Sequence, residues 1–95
     1  MAYQDTVTCP AATPTLITPD APTGNVVFQN KTGGRVWLSA AVGETPPTDR
    51  DGAILFTSGS GERSFFIADL FPGLTGANRL YAEAEIAGGV FVSYA

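Results

Sequence analysis

The chain has 95 residues, of which 44% are hydrophobic and 15% charged, and this composition is too apolar for a disordered protein. The length suffices for one small domain with a thin core. Nine acidic and five scattered basic residues give a net charge of −4. We therefore expect neither nucleic acid nor a membrane surface as a partner, because both attract clustered basic side chains.

The composition also favours association with other protein subunits. Typical globular domains are about 25% charged, so the low share here predicts that part of the surface is covered, unless Ser, Thr and Gly keep it hydrated. A single cysteine, Cys9, excludes an internal disulfide and leaves homo-oligomerisation open as a source of stability. The first residues lack a secretory pattern, and no apolar run approaches the roughly 20 residues that span a bilayer, so we expect synthesis in a reducing cytoplasm.

Residues 1–23 are predicted to form an extended arm that precedes the folded domain. Prolines recur there among Thr and Ala, and they favour extended backbone because proline lacks an N–H donor and restricts the residue before it. Leu16 and Ile17 are the pair of larger aliphatic side chains in this segment. We expect them to anchor the arm on a neighbouring subunit; a solvent-exposed tail is the alternative.

Residues 24–95 are predicted to form a β-sandwich domain, because β-branched and aromatic runs alternate with Gly, Pro, Asn and Asp turns. The six predicted strands are 24–30, 35–42, 53–57, 63–67, 79–86 and 90–94. Three short connections are predicted as hairpin turns, at 31–33, 58–61 and 87–89. The segment 68–76 is predicted as a compact turn or a short 3₁₀ segment.

Segment 79–86 is the one stretch whose residues support two structures. Its Leu, Ala and Glu residues favour helix intrinsically, yet apolar and polar positions alternate without exception. One side holds Leu80, Ala82, Ala84 and Ile86, and the other holds Arg79, Tyr81, Glu83 and Glu85. The alternation predicts a strand and an all-β fold class, a small antiparallel β-sandwich or jelly-roll-like domain of about six strands.

The residues that support acid–base or metal chemistry are missing or isolated. The chain has no histidine, the commonest general base and metal ligand. Cys9 therefore has no histidine to activate it, and Glu83 and Glu85 are spaced as on a solvated strand face. The segment Asp49-Arg50-Asp51-Gly52 lacks the remaining ligands of a Ca²⁺ loop. We predict that the protein is not an enzyme and has no catalytic residues, cofactor or metal.

Aromatic side chains are the strongest candidates for a binding role. Trp37 and Tyr81 fall on the predicted outer faces of their strands, where aromatic rings anchor protein contacts or stack on sugars. Cover by the arm or by the second layer of the sandwich is the alternative. The strand pleat also predicts that one ring of the pair Phe65 and Phe66 lies in the core and the other outside.

The C-terminal two-thirds of the chain resembles small structural proteins of tailed phages. The resemblance covers residues 24–95 and rests on a turn and strand at 45–56 (TPPTDRDGAILF), on Gly59, on the strand 78–84 (NRLYAEA) and on the terminal strand 90–92 (VFV). Proteins that look like this are capsid decoration, or cement, proteins and parts of head fibres. None of them supplies catalytic residues to carry over.

This resemblance implies a virion protein, made in the host cytoplasm, that binds the outer surface of the major capsid protein shell and stabilises it through protein contacts. The predicted contact residues are Leu16, Ile17, Trp37 and Tyr81. A tail, neck or head-fibre subunit is one alternative. A carbohydrate-binding β-sandwich module, with Trp37 and Tyr81 stacking on sugars, is another.

Overall fold

The computed structural model describes residues 3–95, which form two four-stranded antiparallel sheets packed as a sandwich. The strands are β1 (Tyr3–Cys9), β2 (Thr15–Leu16), β3 (Val26–Asn30), β4 (Val36–Ala41), β5 (Ile54–Phe56), β6 (Gly61–Phe65), β7 (Arg79–Ala84) and β8 (Gly88–Tyr94). One short helix, α1 (Ile67–Leu70), lies between β6 and β7. The all-β sandwich is confirmed, whereas the expected number of six strands is too low.

Each sheet combines strands from distant parts of the chain. Sheet A has the order β1-β8-β3-β6, and sheet B has the order β2-β7-β4-β5. Strand β1 pairs with β8, β2 with β7, β3 with β6 and β4 with β5. The chain is thus paired like one long ribbon folded back on itself and bent into two layers.

The N-terminal segment belongs to this sandwich. Strand β1 pairs with β8 from Tyr3 opposite Tyr94 to Cys9 opposite Gly88, and β2 pairs with β7. The boundary expected after residue 23 therefore does not separate an arm from a domain among the described residues. The prolines that suggested an arm lie in the connections, where no ladder N–H is required. Met1 and Ala2, also assigned to the arm, lie outside the described residues.

The three predicted hairpins are wrong, because each short turn joins two different sheets. Turn 31–35 leads from β3 in sheet A to β4 in sheet B, and turn 57–60 leads from β5 in sheet B to β6 in sheet A. Turn 85–87 joins β7 in sheet B to β8 in sheet A in the same way. A glycine-rich turn reverses the chain both in a hairpin and in a connection between sheets. Burial of the apolar faces of both sheets decides that the returning strand crosses to the other layer.

The core confirms the strand predicted across segment 79–86. Leu80, Ala82 and Ala84 are fully buried between the sheets. The rings of Phe28 in sheet A and Phe56 in sheet B meet edge to face with centroids 4.9 Å apart. Ile86 has the same sequence parity as the buried residues but is exposed, because β7 ends at Ala84.

The connections divide the sandwich into two unlike ends. Four short connections, 10–14, 31–35, 57–60 and 85–87, lie at one end, which we call the short-turn end. Connections 17–25, 42–53 and 66–78 lie at the other, which we call the long-loop end. This division follows from strand direction, because successive strands of the sandwich run in opposite directions.

The short-turn end is fastened by the fully buried side chain of Asn30. Its amide nitrogen donates to the carbonyl of Gly34 at 2.9 Å and to that of Phe56 at 3.1 Å. Its Oδ1 accepts from the N–H of Thr32 at 2.9 Å and from the Thr32 hydroxyl at 2.7 Å. These bonds satisfy polar groups that water does not reach, and they tie the 31–35 turn to β5.

Candidate interaction surface

The register of sheet B brings three of the predicted contact residues onto its outer face. Leu16 lies opposite Tyr81 in the β2–β7 pair. Trp37 lies opposite Glu83 of β7 on one side and opposite Leu55 of β5 on the other. Opposed residues of an antiparallel ladder point to the same face. Leu16, Trp37 and Tyr81 therefore share one surface, although they are far apart in sequence.

Two of the four predicted contact residues have almost no exposed surface. Ile17 is 0% exposed and packs in the core, because it follows Leu16 and turns to the opposite side of the chain. Tyr81 is 4% exposed although it lies on the outer face. Burial, followed by the carboxylate of Glu44 in loop 42–53, raises the pKa of the Tyr81 hydroxyl. Neither side chain is available to a partner in this conformation.

Trp37 is half-buried under arginine side chains of the same molecule. The Arg50 guanidinium lies 3.7 Å from the indole centroid, and that of Arg35 lies 5.3 Å away. Arg50 is also fixed by a bond from its Nε to Glu83 Oε2 at 2.9 Å. A guanidinium at this distance occupies the π face that a sugar ring requires. Stacking of a carbohydrate on Trp37 would therefore require Arg50 to move away.

Glu83 of β7 and Glu85 of the following turn form two separate ion pairs. Glu83 pairs with Arg50, whereas Glu85 accepts hydrogen bonds from Arg35 Nη2 at 2.7 Å and from Arg35 Nε and N at 3.2 Å. The side-chain bonds from Arg35, followed by its backbone N–H, lower the pKa of Glu85 to about 2. The Glu85 carboxylate is thus held in the charged form, as in a structural ion pair.

The remaining candidates for chemistry have structural explanations. The carboxylate of Asp49 accepts the N–H of Asp51 at 3.0 Å, which is an ordinary turn contact. Cys9 is fully buried, and burial raises the pKa of its thiol, which disfavours the nucleophilic thiolate. Within residues 3–95 no group of three His, Cys, Asp or Glu side chains is placed to hold a metal ion.

The long-loop end carries most of the exposed large apolar side chains. Val42 is 52% exposed, Phe66 46% and Leu74 41%. Loop 66–78 lines two grooves at this end. One groove runs against Pro47 of loop 42–53, and the other runs against Pro22 of loop 17–25. Exposed apolar side chains beside grooves are typical of surfaces that bind other proteins.

Acidic side chains share the long-loop end with these apolar residues. Five of the nine acidic residues of the chain lie in the three long loops, and all five are exposed: Asp20, Glu44, Asp49, Asp51 and Asp69. The same loops contain one basic residue, Arg50, which is paired with Glu83. The negative charge of the protein is therefore concentrated at the end that also exposes apolar surface.

Sequence reasoning identified one part of this surface and missed the rest. The strand pleat placed one ring of Phe65 and Phe66 outside, and Phe66 is indeed exposed while Phe65 is buried. Val42 was placed within a strand, and Leu74 within a compact turn. Proximity of the three long loops could have been inferred from strand direction, but only with the correct number of strands.

Comparison with known proteins finds no relative of this chain. No protein-family model matches the chain, and neither the curated proteins nor the solved structures contain a match. The described part of the chain contains no helix that is both long enough and apolar enough to cross a membrane.

Proposed function

We propose that the protein is a structural subunit of a tailed-phage virion that binds the outer surface of the major capsid shell as a decoration protein. In this role it performs no catalysis, and it stabilises the shell by burying surface against capsid subunits. The resemblance of residues 24–95 to phage structural proteins motivates the proposal. Two features of the described residues support it.

The strand order is the first supporting feature. The orders β1-β8-β3-β6 and β2-β7-β4-β5 are those of a jelly roll, in which a paired ribbon of eight strands is rolled into two sheets. Viral capsid domains are among the proteins that use this architecture, and so are lectins and cupins. The strand order therefore supports a virion protein without selecting it.

The long-loop end is the observation that carries the proposal. Val42 projects there from loop 42–53, and Phe66 and Leu74 project from loop 66–78; the two sheets hold these loops together. Apolar residues at the centre of an interface supply most of the binding free energy, and charged residues at the rim steer the encounter. This end would therefore contact the shell, and the short-turn end would face away from it.

Binding to capsid shells that lack the protein tests the proposal. We expect the native chain to co-sediment with such shells, and we expect Phe66→Ser and Leu74→Ser to weaken binding by at least about tenfold. Ile86→Ser is the matched control, because Ile86 is also about half exposed (52%) but lies at the short-turn end. Its binding should equal that of the native chain.

Two results would contradict this account in different ways. If the native chain does not bind shells, the role as a decoration protein is wrong. If Ile86→Ser weakens binding and the long-loop variants do not, the role stands but the contact surface is misassigned. Immunolabelling of purified particles separates the decoration role from a tail, neck or head-fibre position, since these place the protein at different parts of the virion.

A further inference from the structure

Among residues 3–95, strand β1 leaves one long edge of sheet A unpaired. It is the outermost strand of the order β1-β8-β3-β6, and it is seven residues long. Gln4, Asp5, Thr6 and Thr8 are exposed along it. The edge strands of sheet B are only two and three residues long. An exposed strand of this length is a template for pairing with another strand.

Alternation of the ladder defines which groups face outwards. The N–H of Thr6 donates to the carboxylate of Asp5 at 2.8 Å, so it does not point to β8. In an antiparallel pair, residues with outward backbone groups recur at every second position. The N–H and C=O groups of Gln4, Thr6 and Thr8 therefore line the free edge. Of these three N–H groups, only that of Thr6 donates to a side chain, the Asp5 carboxylate.

We infer that the partner at this edge is a second copy of the same chain, paired antiparallel through β1 about a two-fold axis at Thr6. In this register Thr6 lies opposite Thr6 of the second copy, and Gln4 lies opposite Thr8. Asp5 lies opposite Val7. Gln4 and Thr8 exchange backbone hydrogen bonds directly, and the Thr6 pair does so when the Asp5 carboxylate releases the Thr6 N–H. The two copies of sheet A then become one continuous sheet.

Charge selects this register and this edge. A two-fold axis at Asp5 would oppose two carboxylates, and an axis at Val7 would place Gln4 opposite Pro10, which has no N–H. The other edge of sheet A, β6, carries two charged residues in five, Glu62 and Arg63, whereas β1 carries one in seven, Asp5. The pairing of β6 with β3 is also interrupted by a register shift. Charges and irregularities are the features that protect an edge from pairing. The acidic long-loop ends repel each other, which disfavours end-to-end association.

Disulfide trapping tests both the dimer and its register. Opposed residues in a hydrogen-bonded pair have Cα atoms about 5.5 Å apart, within the range that a disulfide bridges. We expect Thr6→Cys to form a covalent dimer under mild oxidation. Gln4→Cys alone should stay monomeric on a denaturing gel, and a mixture of Gln4→Cys with Thr8→Cys should cross-link. The native Cys9 is buried and is common to all variants.

Sedimentation velocity of the uncross-linked chain provides the second measurement. The native protein should sediment as a dimer. Thr6→Lys and Thr6→Glu should each sediment as monomers, and an equimolar mixture of the two should restore the dimer. Gln29→Lys, which adds the same charge to exposed β3 away from the edge, should remain dimeric. A monomeric native protein, or a dimer that Thr6→Lys leaves intact, would overturn the inference. It does not depend on the proposed virion role.

Discussion

At the short-turn end, Asn30 and the ion pair of Arg35 with Glu85 fasten connections that each cross between the sheets. At the long-loop end, loops 42–53 and 66–78 expose Val42, Phe66 and Leu74, and exposed acidic side chains lie in all three long loops. The buried side chains of Asn30 and Thr32 at the first end are satisfied internally, whereas Val42, Phe66 and Leu74 at the second end are not covered by the described residues. The difference separates the part of the molecule that maintains the fold from the part suited to contact a partner.

Loop 42–53 is an intermediate case between the two ends. It belongs to the long-loop end, yet Arg50 turns back to stack on Trp37 and to pair with Glu83 of sheet B. This contact anchors one loop to the rigid sandwich while Val42 stays exposed. Such anchoring lowers the conformational entropy that a loop loses on binding.

The largest expected effect is at the short-turn end. Asn30→Ala should lower the free energy of unfolding by about 3 kcal/mol, because the carbonyls of Gly34 and Phe56 lose their donor in a buried site. Urea denaturation followed by circular dichroism measures the change. Asn25→Ala removes an exposed bond to Ser64 and should change stability by less than about 0.5 kcal/mol. Equal losses in the two variants would show that burial of Asn30 does not matter.

A smaller effect is expected where the long loop is anchored. Arg50→Ala should cost about 1 kcal/mol of stability, from the contact with the indole and the partly exposed ion pair. The emission of Trp37, the single tryptophan, should shift to the red as its ring becomes hydrated. Arg63→Ala, on the exposed part of β6, is the control and should leave the emission unchanged. An unshifted spectrum in Arg50→Ala would contradict the stacked geometry.

The smallest effect concerns acid stability at the short-turn end. The pKa of Glu85 is lowered from 4.5 to about 2, chiefly by hydrogen bonds from the Arg35 side chain. A lowered folded-state pKa means that the contribution is complete above about pH 4.5 and is lost as the pH falls toward 2. Glu85→Gln and Arg35→Met should each flatten the stability profile between these values to a similar extent. An unchanged profile in Glu85→Gln would show that the pair contributes nothing, as many exposed pairs do.

Local patterns predicted the strands better than their pairing. The alternation of segment 79–86 outweighed its helical composition, because a strand buries Leu80, Ala82 and Ala84 on one face. The same residues gave no information on which strand lies beside β7. The turn predicted at 87–89 suggested that this segment pairs with the last strand, yet β7 pairs with β2 and β4. Turn residues specify a chain reversal, and they do not specify whether the next strand pairs or changes sheet.

The candidate surface was predictable only in part for the same reason. Trp37 and Tyr81 were placed on outer strand faces correctly, but sequence did not indicate that loop 42–53 lies over this face. Glu44 raises the pKa of Tyr81 and Arg50 bonds to Glu83, and both interactions join residues that are far apart in sequence. Proline content suggested an arm in residues 1–23. The strands that pair with this segment, β7 and β8, lie at the far end of the chain, so no local pattern revealed the pairing.

The sequence by itself determined that the chain is a β-sandwich with alternating buried positions, since side-chain period and turn residues are local properties. Only the tertiary structure decided that the N-terminal residues complete both sheets, and that three long loops gather apolar and acidic side chains at one end. Those features depend on pairing between distant strands. The physical reason is that each strand has two edges and two faces to satisfy, and the partners that satisfy them are selected by burial over the whole chain.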